Sequence, residues 1–345
     1  MAGNSGQPAG VMIQFIEPTA LDLWTMPQPL LFETAADFSE GFAAVRWSAG
    51  FGYIDRTGNI AVELADTVEV VGNFSEGLAV AQAGVYYGYI NATGDWAIPV
   101  QFRQAKAFAD GLAAVQAERR YGYVNTRGHW EIEPQFDLAG DFSEGLAAVK
   151  QDGLYGYVNR EGAIAIPVQF RDAWRFADQR AVIKVDGKRG YIDPTGAISI
   201  PLTFDGAFTF AEGLARVRQG NQWGFIDPSG TQVIPLQFDY ASDFSEQRAV
   251  VLQEGKWSYV NPQGDKVIEG QFAYAADFSE GLAVVQIEGQ YGYVDREGKI
   301  AIAPQFQNAG PFSEGLARVQ VDQRWGFIDP TGQFLTQATT RQGGG

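Results

Sequence analysis

One stretch of the sequence decides the fold: FSEGLAAVKQDGLYGYVNREGAIAIPVQFRDAWR, residues Phe142–Arg175. Its opening phrase occurs in nine copies along the chain, and from Phe74 onward successive copies begin 34 residues apart. Such a fixed period predicts a stacked or radial array of repeats, in which the architecture accounts for most side chains. The phenylalanines that open the copies are Phe38, Phe74, Phe108, Phe142, Phe176, Phe210, Phe244, Phe278 and Phe312.

Three stretches of apolar, β-branched or aromatic residues lie within this repeat, near Leu146–Lys150, Tyr155–Asn159 and Ile164–Phe170. Glycine-bearing turns separate them, which is the pattern of short antiparallel strands. No window shows the apolar spacing of an amphipathic helix. The sequence therefore predicts an all-β protein, a tandem array of nine repeats with about three antiparallel strands each, plus a degenerate N-terminal copy.

The turn between the second and third strands reads Asp-x-x-Gly or Asn-x-x-Gly in every copy, as at Asn159 and Gly162. The Asp or Asn side chain accepts hydrogen bonds from the following amides, and the glycine adopts the positive φ that closes a type I turn with a bulge. A ladder of calcium ligands is the alternative interpretation. The turn interpretation is favoured because four of the nine side chains are Asn and no further ligand has EF-hand spacing.

An aromatic-Gly-aromatic triplet marks the second strand of most copies, as at Tyr155-Gly156-Tyr157. Residues i and i+2 of a strand share a face, so both rings are expected on one side. The glycine is expected where a neighbouring repeat approaches the backbone closely. Apolar layers between repeats are the favoured interpretation, and an aromatic ladder that binds a sugar is the alternative.

The third strand contains a proline followed by a phenylalanine, as at Pro167 and Phe170. Proline cannot donate a hydrogen bond to a sheet, so this strand is expected at a sheet edge or beside a bulge. An edge strand of this kind keeps one repeat from pairing flatly with the next.

An acidic residue stands two positions after each opening phenylalanine. At a turn, its carboxylate is expected to accept hydrogen bonds from backbone amides. A seam of cation sites is the alternative, and it is disfavoured because each repeat offers only one carboxylate at this position. The residues are Glu40, Glu76, Asp110, Glu144, Asp178, Glu212, Glu246, Glu280 and Glu314.

Together these motifs resemble the WG-repeat family, also called KWG. Its unit runs from Phe-x-Glu-Gly-Leu-Ala through Trp-Gly-Tyr-Ile-Asp to Ile-Pro-x-x-Phe. The resemblance covers about Phe38 to Leu335; Trp-Gly itself survives at Trp223-Gly224 and Trp325-Gly326, whereas Tyr replaces the Trp in most copies. The resemblance implies a bacterial-type β-repeat module that binds a partner and has no shared catalytic residue.

The N-terminal region looks like an incomplete copy without its first strand, because Pro29 and Phe32 repeat the spacing of proline and phenylalanine. Such a copy could complete a closed β-propeller-like ring or cap an open superhelix. The open superhelical array is slightly preferred, since nine repeats exceed the usual range of about four to eight propeller blades. The predicted organisation is a flexible N-terminus at 1–10, a degenerate repeat or cap at 11–37, nine repeats at 38–337 and a flexible tail at 338–345.

Composition excludes several functional classes. The formal net charge is −16, there is no cysteine, and His129 is the single histidine. Nucleic acids and anionic membranes need clustered Lys and Arg, so neither is an expected partner. Without cysteines or a second histidine, disulfides, thiolate sites and multi-histidine metal sites are not available. No stretch is long and apolar enough to cross a membrane, no nucleotide-binding motif precedes a helix, and we expect a cytoplasmic protein without a cofactor.

Two copies depart from the repeat, with Gln-Arg in place of Gly-Leu at residues 179–180 and 247–248. Basic residues lie near them, and a basic group on an acidic protein is expected to attract an acidic segment of a partner. Drift at solvated positions is the alternative. The candidate binding residues are Arg180, Lys184, Lys188, Arg189 and Arg248.

The leading functional interpretation is a non-enzymatic scaffold that presents the hairpin tips of a rigid β-repeat array to a protein partner. A carbohydrate or small-ligand binder that uses the aromatic triplets is the second interpretation. Exposure of the triplet rings distinguishes the two, because a sugar platform needs accessible ring faces. An accessory or regulatory subunit of an enzyme is the third.

Overall fold

The computed structural model describes residues 28–48, 50–270 and 272–336, which form nine consecutive antiparallel sheets. Eight sheets have four strands and the last has three, and the strands of each sheet pair in chain order. We number these sheets as blades one to nine along the chain. The repeat unit is therefore a four-stranded blade, which corrects the expected three strands.

The strand bounds show how regular the blades are. Blades one to three contain β1 (Thr34–Ala35), β2 (Phe42–Trp47), β3 (Gly50–Asp55), β4 (Ile60–Glu63), β5 (Val68–Ser75), β6 (Leu78–Ala83), β7 (Tyr86–Ile90), β8 (Trp96–Phe102), β9 (Gln104–Ala105), β10 (Leu112–Ala117), β11 (Arg120–Asn125) and β12 (Trp130–Phe136). Blades four to six contain β13 (Leu138–Ser143), β14 (Leu146–Gln151), β15 (Leu154–Asn159), β16 (Ile164–Phe170), β17 (Asp172–Ala177), β18 (Arg180–Val185), β19 (Lys188–Ile192), β20 (Ile198–Phe204), β21 (Gly206–Ala207), β22 (Ala215–Gln219), β23 (Gln222–Ile226) and β24 (Gln232–Phe238). Blades seven to nine contain β25 (Tyr240–Ala241), β26 (Ala249–Gln253), β27 (Lys256–Val260), β28 (Lys266–Glu269), β29 (Tyr274–Ser279), β30 (Leu282–Ile287), β31 (Gln290–Asp295), β32 (Ile300–Phe306), β33 (Asn308–Ser313), β34 (Leu316–Val321) and β35 (Arg324–Ile328).

The first strand of each blade is the one that the sequence pattern does not reveal. In blade four it is β13, which pairs with β14 through Ala139↔Val149 and Phe142↔Ala147 on either side of a bulge. In blades one, three, six and seven only two residues of this strand pair regularly. Its Ala, Gly and Asp residues are weak strand formers. The three predicted strands of this repeat are confirmed as β14, β15 and β16.

The array is a closed ring, which corrects the preference for an open superhelix in favour of the β-propeller-like alternative. Phe32 bridges Trp325 of blade nine, the pairing that Phe306 makes with Tyr291 in blade eight. Phe32 and Trp325 exchange backbone hydrogen bonds of 2.7 and 2.8 Å. Phe334, which follows the last strand of blade nine, bridges Ile328 of the same blade. The two chain ends thus complete the outer strand of blade nine together.

The junction between blades nine and one repeats the contacts found elsewhere in the ring. Ser313 Oγ donates a 2.8 Å hydrogen bond to Phe38 O, as Ser279 Oγ does to Phe312 O at 2.7 Å. Phe38 packs edge-to-face on Phe327 with ring centroids 5.0 Å apart. The junction between blades nine and one is therefore built like the junction between blades eight and nine. The predicted N-terminus 1–10, residues 11–27 of the predicted cap and the tail 338–345 lie outside the described residues.

The hydrophobic core lies between blades rather than within them. One cluster joins Tyr157, Ile166 and Phe170 of blade four to Phe176 and Ile183 of blade five. Phe176 and Tyr157 are fully buried and pack at a centroid distance of 5.0 Å. Such aromatic pairs add roughly 0.5–1.5 kcal/mol to the burial of their surface. Each blade is therefore stabilised mainly by its two neighbours.

The predicted Asp/Asn-x-x-Gly turn is confirmed in all nine copies, whose glycines have φ between 79° and 87°. In blade eight, Asp295 Oδ1 accepts hydrogen bonds from Glu297 N and Lys299 N. A Cβ placed on Gly298 would lie 2.8 Å from the Ile268 side chain of blade seven. The glycine is therefore required by the turn and by the approach of the neighbouring blade.

Two glycines of blade eight allow the effect of positive φ to be tested apart from the effect of the neighbouring blade. Gly289 has φ +84° with open space where a Cβ would stand, whereas Gly298 has φ +79° and faces Ile268. We expect Gly289→Ala to cost about 1 kcal/mol for its left-handed conformation. Gly298→Ala should cost at least about 1 kcal/mol more, because overpacking adds to the strain. Chemical denaturation measures both, and equal losses would contradict the interblade contact.

Ring closure predicts a large effect at Phe32, which is 7% exposed. Phe32→Ala should lower the free energy of unfolding by about 3–5 kcal/mol, because the buried ring joins the N-terminal segment to blade nine. Ile60→Ala is the control, since Ile60 is 56% exposed and a surface change should stay within about 0.5 kcal/mol. A Phe32 variant as stable as the control would show that the ring does not depend on this strand.

Candidate docking surface

The strand connections divide the ring into two faces. The turn face carries the turns after the first and third strands, such as Ser143–Leu146 and Asn159–Ile164. The hairpin face carries the hairpins between second and third strands, such as Gln151–Leu154, and the connections between blades, such as Phe170–Asp172. These two faces use their side chains differently.

On the turn face a carboxylate links each blade to the next, and we call the series of these contacts the seam. The two carboxylate oxygens of Glu280 accept hydrogen bonds from Glu314 N at 2.6 Å and Gly315 N at 2.8 Å. Positive φ values at Glu314 and Gly315 turn both amides toward the preceding blade. The predicted role is confirmed for seven of the nine acids, with the amides supplied by the next blade. The seam carboxylates are Glu40, Glu76, Glu144, Glu212, Glu246, Glu280 and Glu314.

The seam has two gaps, at Asp110 and Asp178. Among the described residues neither side chain accepts an amide hydrogen bond from the following blade, because Asp is one methylene shorter than Glu. The amides of Glu212 and Gly213, which follow Asp178, are left to solvent. A Cβ placed on Gly213 would meet no atom within 4 Å, so the site is open.

The gaps give a test of the seam. Asp178→Glu should raise the free energy of unfolding by about 1 kcal/mol, since the longer side chain reaches the amides of Glu212 and Gly213. Glu280→Asp should lower it by a similar amount. Glu297→Asp, the same shortening at an exposed turn residue, is the control and should have little effect. Unfolding experiments in which all three variants behave alike would show that the seam does not stabilise the ring.

The Gln-Arg departures also belong to the turn face. Gln179 and Gln247 have φ of 58° and 61°, where other copies have glycine. The backbone and side-chain amides of Gln179 both donate to Glu144 at 3.1 Å, so this glutamine strengthens the seam. Arg180 donates to Gln179 O and to Pro228 O of blade six. Much of this sequence departure therefore has a structural explanation.

The five candidate binding residues do not form one group. Lys184 of β18 pairs with Arg189 of β19, and Lys188 is the first residue of β19. These three residues therefore lie together on the hairpin face. Arg180 stands at the opposite end of β18, and Arg248 occupies the corresponding place two blades further on. The structure thus separates a group of three on the hairpin face from two arginines on the turn face.

The hairpin group is only partly neutralised. Lys188 Nζ lies 2.6 Å from Asp205, and Arg189 lies 3.4 Å from Asp172. The Arg189 guanidinium also lies 5.3 Å from the ring centroid of Trp174. Lys184 has no ion pair among the described residues. The group of three therefore contacts an aromatic ring through Arg189.

The aromatic triplets are divided between core and surface. Tyr157 is fully buried, and its hydroxyl donates a 2.7 Å hydrogen bond to Trp174 O of blade five. Burial raises the pKa of Tyr157 far above its ordinary value, so the hydroxyl stays a donor. A Cβ on Gly156 would lie 2.6 Å from Ile166 O. The close approach is thus made by the fourth strand of the same blade, and not by a neighbouring repeat as expected.

A chain of seven rings crosses the hairpin face of blades five to eight, and we call it the aromatic sector. Neighbouring centroids lie between 5.3 and 6.3 Å apart. Tyr240 and Tyr274 are its most open members, at 38% and 41% exposure, and the others are partly buried. The rings belong to Trp174, Phe208, Trp223, Tyr240, Trp257, Tyr274 and Tyr291.

Arg216 anchors the centre of this sector. Its guanidinium lies 3.9 Å from the Phe208 centroid, and Nη1 donates to Ala241 O of blade seven at 2.8 Å. Its Nε lies 2.8 Å from Asp243. Burial raises the pKa of Asp243, although Arg216 opposes the shift. Sequence reasoning missed this arginine, and the signal was its presence where most copies have Ala or Val.

Arg216 has a structural counterpart in Arg318 of blade nine. Arg318 Nε donates to Asp37 at 2.7 Å and Nη1 donates to Ala35 O at 3.1 Å. These two blades have Phe225 and Phe327 where other blades have the tyrosine that donates to the next blade. The arginine therefore replaces the missing interblade hydrogen bond, and of the two only Arg216 also contacts the aromatic sector.

Within the described ranges there is neither a cluster of metal ligands nor a membrane-spanning helix. No group of three or more His, Asp or Glu side chains there converges as a metal site would require. That part of the chain also contains no helix with the length and apolar character needed to cross a membrane.

Comparisons with known proteins agree with the repeat pattern. A family model described as WG containing repeat matches residues 51–84, 87–118, 121–155, 155–188, 190–223, 223–257, 257–291 and 291–325. The crystal structure of the eukaryotic initiation factor is similar, with a TM-score of 0.59 at 12% identity over 88% of this chain and 91% of that chain. Kluyveromyces lactis Hsv2p gives a TM-score of 0.41 at 8% identity over 66% of this chain and 92% of its own. The first likeness shows a shared fold alone, and no curated protein matches the sequence.

Proposed function

This chain belongs to the WG-repeat family, and we propose that its nine-bladed ring is a non-enzymatic scaffold that docks a protein partner on the hairpin face. The observation that carries this proposal is the difference between the faces. The seam engages the repeated acids of the turn face, whereas four of the seven rings of the aromatic sector stand where most copies have no aromatic residue, namely Trp174, Phe208, Tyr240 and Tyr274. Non-repeated side chains on a rigid ring are where binding specificity resides.

The residue types of the aromatic sector favour a protein partner. Partly exposed Trp, Tyr and Arg are the side chains that dominate the energetics of protein interfaces. Tyr240 and Tyr274 offer open rings, and Arg216 holds Phe208 in place. Because the ring is already ordered, docking would cost little conformational entropy.

The hairpin cations favour an acidic segment in that partner. Arg189 lies beside Trp174, at the edge of the aromatic sector, and Lys184 and Lys188 belong to the same hairpin. The protein as a whole has a net charge of −16, so these cations stand out from a negative background. Complementary charge would orient an acidic partner and increase its rate of association.

The aromatic sector is a less suitable sugar platform. Its rings meet mostly edge-to-face or at tilted angles, as Trp174 and Phe208 do at 82°. Each ring thereby covers part of a neighbouring face, and carbohydrate stacking needs a free face. The carbohydrate interpretation is therefore not the one we propose.

Affinity capture with matched variants tests the docking surface. Immobilised wild-type protein should retain a partner from lysate of its own source cells, and Tyr240→Ala/Tyr274→Ala should retain at least about tenfold less, as expected for interface hot spots. Ile198→Ala/Ile300→Ala removes exposed apolar side chains from outer strands and should retain the wild-type amount. Quantitative mass spectrometry measures each, and equal retention by both double variants would refute docking on this sector.

A second pair of variants tests the charge. Lys184→Glu/Lys188→Glu should weaken capture of the same partner, most strongly at low salt where screening is weak. Lys266→Glu/Lys299→Glu makes the same charge change elsewhere on the ring and serves as the control. A loss of equal size in both would mean that only the net charge of the ring matters.

A further inference from the structure

A second basic site on the hairpin face lies between blades two and three. Here the protein forms an open cleft of about 810 Å³. Its charged and apolar walls are Tyr86, Arg103, Glu118, Arg119, Arg120 and Pro134. We propose that this cleft binds a carboxylate side chain of an acidic peptide segment. The inference rests on the proposed function, for which the cleft would be a second anchor.

The chain positions the three arginines from two directions. Arg103 lies in the connection between blades two and three, where its backbone N donates to Gln116 O at 2.7 Å. Its guanidinium stacks on Tyr86 at 4.5 Å. Arg119 and Arg120 come from the hairpin between β10 and β11, which turns at Glu118 with φ 53°. Backbone pairing therefore places all three near one another.

Two of these arginines retain their full hydrogen-bonding capacity. Arg120 forms an ion pair with Asp137. Among the described residues, the side chains of Arg103 and Arg119 have no ion pair or hydrogen bond. A guanidinium presents a planar fork of donors that matches the two oxygens of a carboxylate. The cleft thus offers unused donors suited to an oxyanion.

The local charge selects a carboxylate over a phosphate. Against Arg103, Arg119 and Arg120 stand Glu118 in the wall and Asp137 beside Arg120, which leaves one net positive charge. A carboxylate carries a single negative charge and would neutralise the cleft. A phosphate monoester carries about −1.5 to −2 at neutral pH and would leave the cleft negative on a protein that is already strongly acidic.

A cation of blade four lies between the cleft and the group formed by Lys184, Lys188 and Arg189. Blade four stands between them, and the Nζ of its Lys150 lies 5.2 Å from the ring centroid of Tyr155. An extended acidic segment that crosses the hairpin face from blade two to blade five would therefore meet a cation at each step. Tyr86, which is 38% exposed, and Pro134 supply apolar contact for the methylene groups of such a segment.

A labelled hexaglutamate peptide is the probe, and its fluorescence anisotropy is measured at low salt with the full chain. Arg103→Gln and Arg119→Gln should each weaken binding about tenfold, the loss expected for one charge-assisted hydrogen bond. Arg127→Gln is the matched control, because this exposed arginine of blade three lies on the turn face. Its affinity should stay within about twofold of the wild type, since exposed charges contribute little at a distance.

Four other outcomes would each contradict the cleft, its preference for a carboxylate or the docking surface. An equal loss in all three variants would overturn the cleft in favour of nonspecific charge attraction. Displacement of the peptide by inorganic phosphate, at concentrations where sodium acetate of matched ionic strength has no effect, would overturn the carboxylate assignment. If only Lys184→Glu/Lys188→Glu weakens peptide binding, the proposal for the cleft is wrong, whereas the proposed docking on the hairpin face still holds. If the cleft variants weaken the peptide but no partner depends on Tyr240 and Tyr274, the proposed function fails and the cleft stands.

Discussion

The whole structure depends on the need of each blade to bury both of its sheet faces. A four-stranded blade has two apolar faces and cannot bury either alone, so it is stable only between two neighbours. An open array would leave one such face exposed at each end. Closure removes both ends at once, and the backbone pairing of Phe32 with Trp325 provides it. The seam and the aromatic pairs follow from this arrangement, because most junctions between blades bring the same residue types together.

Much of the fold could be predicted from the sequence because the second, third and fourth strands carry strong signals. The Val and Ile pattern, the triplet and the proline-bearing edge located β14, β15 and β16 almost to the residue. The first strand escaped because its residues are small or polar, and its pairing is stabilised by neighbouring blades. Closure was one of two options, since it depends on the angle between blades, which no local motif encodes.

The candidate site was less predictable, for a geometric reason. Arg180 and Arg189 are close in sequence, but β18 runs from one face of the ring to the other before the hairpin returns the chain. The length of β18 therefore places Arg180 and Arg189 on opposite faces of the ring. The aromatic sector was missed for a related reason: Trp174 lies in the first strand that the pattern did not reveal, Phe208 directly follows that strand in blade six, and Tyr240 opens it in blade seven.

Departures from a repeat have two different origins in this ring. Gln179 strengthens the seam, and Arg318 replaces a lost tyrosine hydroxyl, so both are compensations that the architecture itself requires. Tyr240 and Tyr274 also pack across junctions, on Trp223 and Trp257, but they replace no missing hydrogen bond and stay 38% and 41% exposed. A non-repeated side chain is therefore a sign of binding only after its contacts across the blade junction have been accounted for. By that criterion the hairpin face, rather than the turn face, has the residues that architecture leaves free, and ring closure fixes the spacing at which they would meet a partner.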